Sequence, residues 1–293
     1  MIAIRRAESD ADLERWLEVR RAVVPNESAG TPEELRASPD RLVVLAEVDG
    51  VVAGSGIAGR SDLAGRAFVT PRVLPEARRR GVGTALRRRL TAHAAMLGFD
   101  GASVLVDDEG SAAFARRFGF EEVDRQVEQV RTLGDEPEPP ALPEGVELVT
   151  VAERPGLLEA AYPLACEGYA DFATDAPASI ARGDWLRDEG TLPAGSYVAL
   201  AGEEIVGYSG LCRHDHEGVA EDGLTVVRRD WRGRGLATAL KRHELAWAAG
   251  HGFHEIVTWT QAGNVGMRAI NERLGYVYRG ECLTMLAALP LPR

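Results

Sequence analysis

Two short stretches hold the residues with the clearest chemical capacity. Arg232-Gly233-Arg234-Gly235-Leu236-Ala237-Thr238 follows the apolar run Thr225-Val226-Val227, and Arg78-Arg79-Arg80-Gly81-Val82-Gly83-Thr84 follows Val73-Leu74-Pro75. In both, a strand-like run passes through an Arg-x-x-Gly-x-small loop into a segment of helical spacing. Glycine lets the backbone turn tightly and come close to a ligand. A helix opening there converges its unpaired amides on one point, where its dipole also favours an anion. A pyrophosphate suits that point, and Arg232 and Arg234 can add charge-assisted hydrogen bonds. Other phosphate loops fit less well. A dinucleotide loop wants a third glycine where Leu86 and Thr238 stand. A triphosphate loop wants Gly-Lys-Ser/Thr, and the only lysine, Lys241, lies three residues beyond Thr238.

The elements that position these loops repeat along the chain. VLAEVDGVVAGSG at 44–56 reads like VALAGEEIVGYSG at 198–210, and Gly81 falls on Gly235 at a spacing of 154 residues that also takes Gly98-Phe99 onto Gly252-Phe253. Between the copies, GDEPEPPALPEG at 134–145 has four prolines, four acids and no apolar period, which suits an extended linker. The expected organisation is a domain over 1–133, a linker over 134–145 and a second domain over 146–293. Strand patterns alternate with helical ones: a helix over 12–23 capped by Asp10, a hairpin about Asp49-Gly50, a strand over 66–73 interrupted by Pro71, and a helix over 111–117. The second copy follows with helices near 154–166, 179–188, 236–249 and 265–273. The fold class is α+β, each domain a mixed, mostly antiparallel sheet flanked by helices.

Composition narrows the function classes. The 293 residues are 45% hydrophobic and 27% charged, which suits globular domains and excludes a disordered chain. No apolar run reaches the roughly 18 residues a spanning helix needs, and the N-terminus lacks a signal-like apolar core, so a cytoplasmic protein with no membrane partner is expected. Forty-five acidic residues against 34 basic ones give a net charge of -11, which disfavours nucleic acid as a partner. Of the basic residues only Lys241 is lysine, a bias read as compositional. Cys166, Cys212 and Cys282 show no CxxC spacing, so neither a disulfide framework nor structural zinc is indicated, and no metal is expected.

The chain resembles the GNAT superfamily of N-acetyltransferases, as a tandem pair. Arg78-x-x-Gly81-x-Gly83 and Arg232-x-x-Gly235-x-Ala237 fit that family's loop. Asn264, Met267, Ile270, Gly275 and Tyr276 fit a second signature. The paired layout is similar to that of mycothiol synthase and other two-domain acetyltransferases. The resemblance implies an enzyme that moves the acetyl group of acetyl-CoA to a small-molecule amine by direct attack on the thioester. The alternative is a non-catalytic acyl-CoA-binding sensor or regulatory module on the same fold.

By the same resemblance, Thr225, Val226 and Val227 would bond the pantetheine arm, and the amide of Val227 would polarise the thioester carbonyl. Residues Arg232 to Thr238 would hold the pyrophosphate, and Asn264 would contact the arm from the other wall. Asn271 stands where the family usually has tyrosine, so Tyr276 or Tyr278 would supply an acid if one is needed. Glu221 and Asp222, just before the strand, are the candidate bases, with His216 of the His214-x-His216 pair behind them. Trp185, Tyr169 and Phe172 either line an acceptor pocket or belong to the core, and Cys212 reads as core. The first copy keeps Val73, Arg78, Gly81, Gly83 and Thr84. It has Asp108 for Asn264, Ala115 for Asn271 and a donor-less Pro71, so the second copy is the expected catalytic one.

Overall fold

The computed structural model describes residues 1–25, 30–36, 38–61, 66–171 and 180–291, in two compact units. The first comprises Met1–Val123 with Leu283–Arg293, the second Asp124–Cys282. In chain order the first repeat contains β1 (Ile2–Arg6), α1 (Asp10–Val23), α2 (Pro32–Arg36), β2 (Leu42–Val48), β3 (Val51–Arg60), β4 (Arg66–Val73), α3 (Val82–Met96), β5 (Gly101–Val106), α4 (Glu109–Arg117) and β6 (Glu121–Thr132). The second contains β7 (Val146–Thr150), α5 (Gly156–Ala170), α6 (Arg182–Asp188), β8 (Tyr197–Ala201), β9 (Glu204–Arg213), β10 (Val219–Val227), α7 (Leu236–Gly250), β11 (Glu255–Gln261), α8 (Val265–Arg273) and β12 (Val277–Ala288).

In the first unit the strands run in the order β1-β2-β3-β4-β5-β12, antiparallel except for β4 beside β5. The second runs β6-β11-β10-β9-β8-β7, antiparallel except for β10 beside β11. The units therefore divide before the body of β6 and not within residues 134–145. Gln126–Thr132 of β6 pair with β11, while Leu283–Ala288 of β12 pair with β5. Each repeat's closing strand completes the sheet of the other unit. Repeated strands with near-identical alternation carry no signal for which sheet they join.

Helices cover both faces of each sheet. In the first unit Leu42, Val44, Leu86 and Leu90 pack under α3, and Leu13, Trp16, Leu17 and Leu45 pack under α1. In the second, Leu164, Trp185, Val198 and Leu224 lie on the α5/α6 face, and Val206, Leu236, Leu240, Leu245 and Ile256 on the α7 face. The hairpin turn forms as its sequence requires, with Asp49 and Gly50 both at positive φ. The cap of α1 is Ser9 and not Asp10. Its hydroxyl accepts from the Asp12 amide at 3.2 Å while Asp12 reaches back to the Ser9 amide at 3.4 Å, a reciprocal pair that Asp10 could not make. Among the described residues no helix is long and apolar enough to cross a membrane.

Trp16 is 1% exposed, and its indole donates to Gly56 O at 3.0 Å, which ties α1 to β3. Trp16→Ala removes both the burial and the donor. It is expected to cost about 3–5 kcal/mol, read as a lower urea midpoint for the first unit.

Candidate active site

The site begins where two parallel strands stop pairing. β10 and β11 are in register from Val219–Asp222 against Glu255–Thr258 and no further. At the same place β10 slips its register with β9 between Asp222 and Thr225, a bulge that bends the strand. Beyond it the Arg228 amide donates to Val206 O at 3.0 Å. Amides along a strand point alternately to either side, so those of Thr225 and Val227 face the gap that β11 has left. These are the donors an extended ligand would meet. The Val226 amide faces β9 instead, and its side chain packs against Gly168 of α5.

The gap leads to the start of α7. Gly233 and Gly235 both have positive φ, 75° and 81°, and a Cβ at either would meet nothing within 4 Å. Gly235 caps α7 without a side-chain hydrogen bond. The amides of Leu236, Ala237 and Thr238 have no acceptor among the described residues, so the positive end of the helix is left uncompensated. Leu236 itself is buried, so only its backbone is available there.

The arginines are engaged differently from expectation. Arg232 Nε donates to Val227 O at 2.8 Å, and its guanidinium pairs with Asp171 at 2.7 Å. Arg234 lies 4.5 Å over the Trp231 ring and donates to Asp230 O at 3.0 Å. Both brace the loop. On the far wall, Asn264 Oδ1 accepts from the Met267 amide at 3.1 Å and caps α8. Asn271 is wholly buried and donates to Gln129 Oε1 at 3.0 Å, which places it behind the wall.

The Acetyltransferase (GNAT) family matches residues 3–120 and again residues 158–276. The chain belongs to the GNAT acetyltransferase family. Two matches make it a tandem member. A mycothiol acetyltransferase of Actinosynnema mirum is 30% identical over 246 residues, 80% of this chain and 79% of that protein. One of Streptomyces scabiei is 32% identical over 158 residues, 52% of this chain, and the match spans only half of that relative. A solved tandem GNAT protein from the clavulanic acid biosynthesis pathway, 22% identical, covers 98% of both chains with a TM-score of 0.75 and shares the fold.

In this GNAT chain the two candidate carboxylates of β10 lie on opposite faces of the sheet. Asp222 turns toward α7 and is 3% exposed. Its Oδ2 accepts from Lys241 Nζ and, at 3.2 Å, from the Tyr276 hydroxyl, while its main-chain oxygen accepts from Thr258 Oγ1 at 3.1 Å. Asp222 and Tyr276 therefore sit in a sealed cluster under the strand. Glu244 completes it, 1% exposed, with neither carboxyl oxygen hydrogen-bonded among the described residues. Burial pushes Glu244 well above the usual carboxyl range, the Asp222 charge adds to this, and the Lys241 charge opposes it only in part. Glu221 is half-buried on the α5/α6 face, and burial followed by the Asp222 charge raises it. On that same face, at the bulge, lies a carboxyl the sequence did not single out, Glu189.

Other expected residues fall outside the cleft. Trp185 is fully buried and donates to Leu158 O at 3.0 Å, so it is core, and Tyr169 packs on the same cluster. Phe172 lies outside the described residues. Burial raises the Cys212 thiol, which removes it as a nucleophile. His214 and His216 face each other with ring centres 5.0 Å apart, and burial lowers His214. Among the described residues no group of three or more His, Cys, Asp or Glu could hold a metal.

The first unit keeps the loop and alters its strand. Gly81 caps α3 at φ 88° without a side-chain bond, Gly83 and Thr84 follow in the first turn, and Arg78 Nε reaches Val73 O at 3.3 Å. β4 leaves β5 after Phe68–Ser103 but pairs with β3 without a register shift. The Leu74 amide donates to Ala53 O, so alternation turns Val73 and Pro71 toward the gap, and proline has no donor to offer. Arg79, at φ 63°, occupies the place of Gly233. Asp108 caps α4 as Asn264 caps α8.

Two outcomes follow for the buried cluster. Lys241→Met strands the Asp222 carboxylate and is expected to cost about 3–5 kcal/mol in urea unfolding at neutral pH. Glu244 keeps a proton in the folded state that the unfolded chain releases above about 4.5, so the native state binds more protons and stability falls as pH rises from there. Glu244→Gln should flatten that fall, matching the parent near pH 4 and exceeding it in unfolding free energy at pH 8.

Proposed function

We propose that the second unit transfers the acetyl group of acetyl-CoA to the amine of a small molecule by direct attack on the thioester. One observation carries this. The outward amides of Thr225 and Val227 lead, along one strand, to the uncapped N-terminus of α7. An extended arm bearing hydrogen-bonding amides and ending in a pyrophosphate matches both ends of that track. Arg232 and Arg234 hold the loop open for it, and Asn264 closes the far wall. The same track in the first unit has lost one donor at Pro71, so that unit supports the fold without chemistry.

In the transfer, the amine nitrogen bonds to the thioester carbon, and the gap-facing amide nearest the bulge, that of Thr225, stabilises the oxygen as it gains charge. The carbon–sulfur bond breaks, and the thiolate leaves readily because a free thiol ionises near about 8–9. No tyrosine acid is needed, which agrees with Asn271 buried behind the wall and with Tyr276 committed to Asp222. Carboxyls on the α5/α6 face and a net charge of -11 suit a cationic acceptor over a nucleic acid. The relatives' name puts the mycothiol acetyl acceptor first among amines to assay.

Calorimetric titration with acetyl-CoA is expected to show one site per chain. Gly235→Glu sets a carboxylate against the pyrophosphate and should weaken binding at least about 100-fold. Two sites, one surviving the change, would restore a cofactor role to the first unit. Tight binding without acetylation of any amine would favour the sensor reading.

A further inference from the structure

Glu189 ends α6, and its carboxyl lies flat against the sheet. A Cβ on Gly210 of β9 would come within 2.0 Å of Glu189 Oε1, and one on Gly223 of β10 within 2.5 Å. Two glycines on adjacent strands thus make a recess that only an absent side chain allows. Oε1 accepts from the Tyr208 hydroxyl at 3.2 Å and from the Leu224 amide at 3.3 Å. Leu224 is in the bulge itself. No cation pairs with Glu189 among the described residues, and Oε2 takes no hydrogen bond there. The residue is 9% exposed. Burial pushes its carboxyl up to about 7, the Leu224 amide and Tyr208 hydroxyl pull it down, and the charges of Asp222 and Glu221 push it further up.

Position along β10 decides what this carboxyl meets. The pyrophosphate end of the track is at residues 233–238, and the strand runs back from Val227 to Leu224, about 10 Å at the usual rise per residue. The bulge is therefore the acyl end. We propose that Glu189 is the proton acceptor for the attacking amine, an assignment that rests on the acetyl-transfer reading above. An alkylammonium arrives with three protons on nitrogen and no free electron pair. Glu189 Oε2 takes one proton and frees the pair. The nitrogen then bonds to the thioester carbon, the carbon–sulfur electrons go to sulfur, and the second proton passes to the departing thiolate. Acetamide and thiol are formed, one proton stays on Glu189, and it leaves to solvent before the next turnover. Glu221, on the same face, sets a second carboxyl beside the ammonium.

The test is the pH dependence of kcat with spermidine and glucosamine as probe amines, read as thiol release from acetyl-CoA. The parent should gain activity as pH rises through about 7. Glu189→Gln keeps the acceptor for Leu224 and Tyr208, so acetyl-CoA should bind with unchanged affinity by calorimetry. Its kcat should drop at least about 100-fold and lose the rising limb. Glu189→Asp should regain the limb at a reduced rate. A limb that persists in Glu189→Gln overturns this assignment and leaves acetyl transfer standing. No turnover of any amine by the parent, these two and the mycothiol acetyl acceptor included, overturns the transfer reading and this assignment together.

Discussion

The second unit depends on where a parallel strand pair ends. Four residues of β10 run beside four of β11, and the last rung, Asp222 with Thr258, is the one held most firmly. Thr258 bonds the main-chain oxygen of Asp222, and Lys241 and Tyr276 hold its carboxylate from the α7 side. With that point fixed, the bulge that follows turns the rest of β10 outward. Unpaired amides, normally a liability in a sheet, are thereby left open to the ligand proposed above. The buried ions are costly to desolvate. Their pairing fixes the rung from which the bulge departs.

The two copies share the loop motif and differ in the strand behind it. Both keep the signature arginine, and in both it bonds the carbonyl of the last strand residue, Val73 or Val227. Both keep the glycine cap of the following helix. The difference lies in backbone chemistry one turn earlier. One copy has a bulge and a donor at Thr225; the other has continuous pairing and a proline. A track of main-chain amides is invisible to side-chain motifs, and a single residue without an N–H interrupts it.

The duplication, the two loops and their helix starts were legible in the sequence because glycine requirements are local. Much of the chemistry was not. Glu221 and Asp222 are neighbours on a strand and must point to opposite faces, a consequence of period two that separates them into one open and one sealed position. Glu189 lies some thirty residues before the bulge it touches, and nothing near it in sequence marks it. Its recess is written in Gly210 and Gly223, which read as ordinary strand glycines until the carboxyl is seen against them. Lys241 left a clue that composition obscured. A chain that uses arginine everywhere else retains one lysine where an ammonium, compact enough to be enclosed, meets a buried carboxylate.

The exchange of closing strands changes what the duplication means for assembly. Leu283 joins β5 only after about 180 residues of intervening chain, so the first sheet keeps an open edge until the second repeat has been made. Until then, β5 presents unpaired backbone groups to any strand within reach, the situation in which chains pair with the wrong partner. Two repeats joined in this way are not separable cassettes. A cut in the 134–145 segment would give two fragments, each carrying the strand the other lacks, and recovery of either sheet would become a bimolecular event governed by fragment concentration.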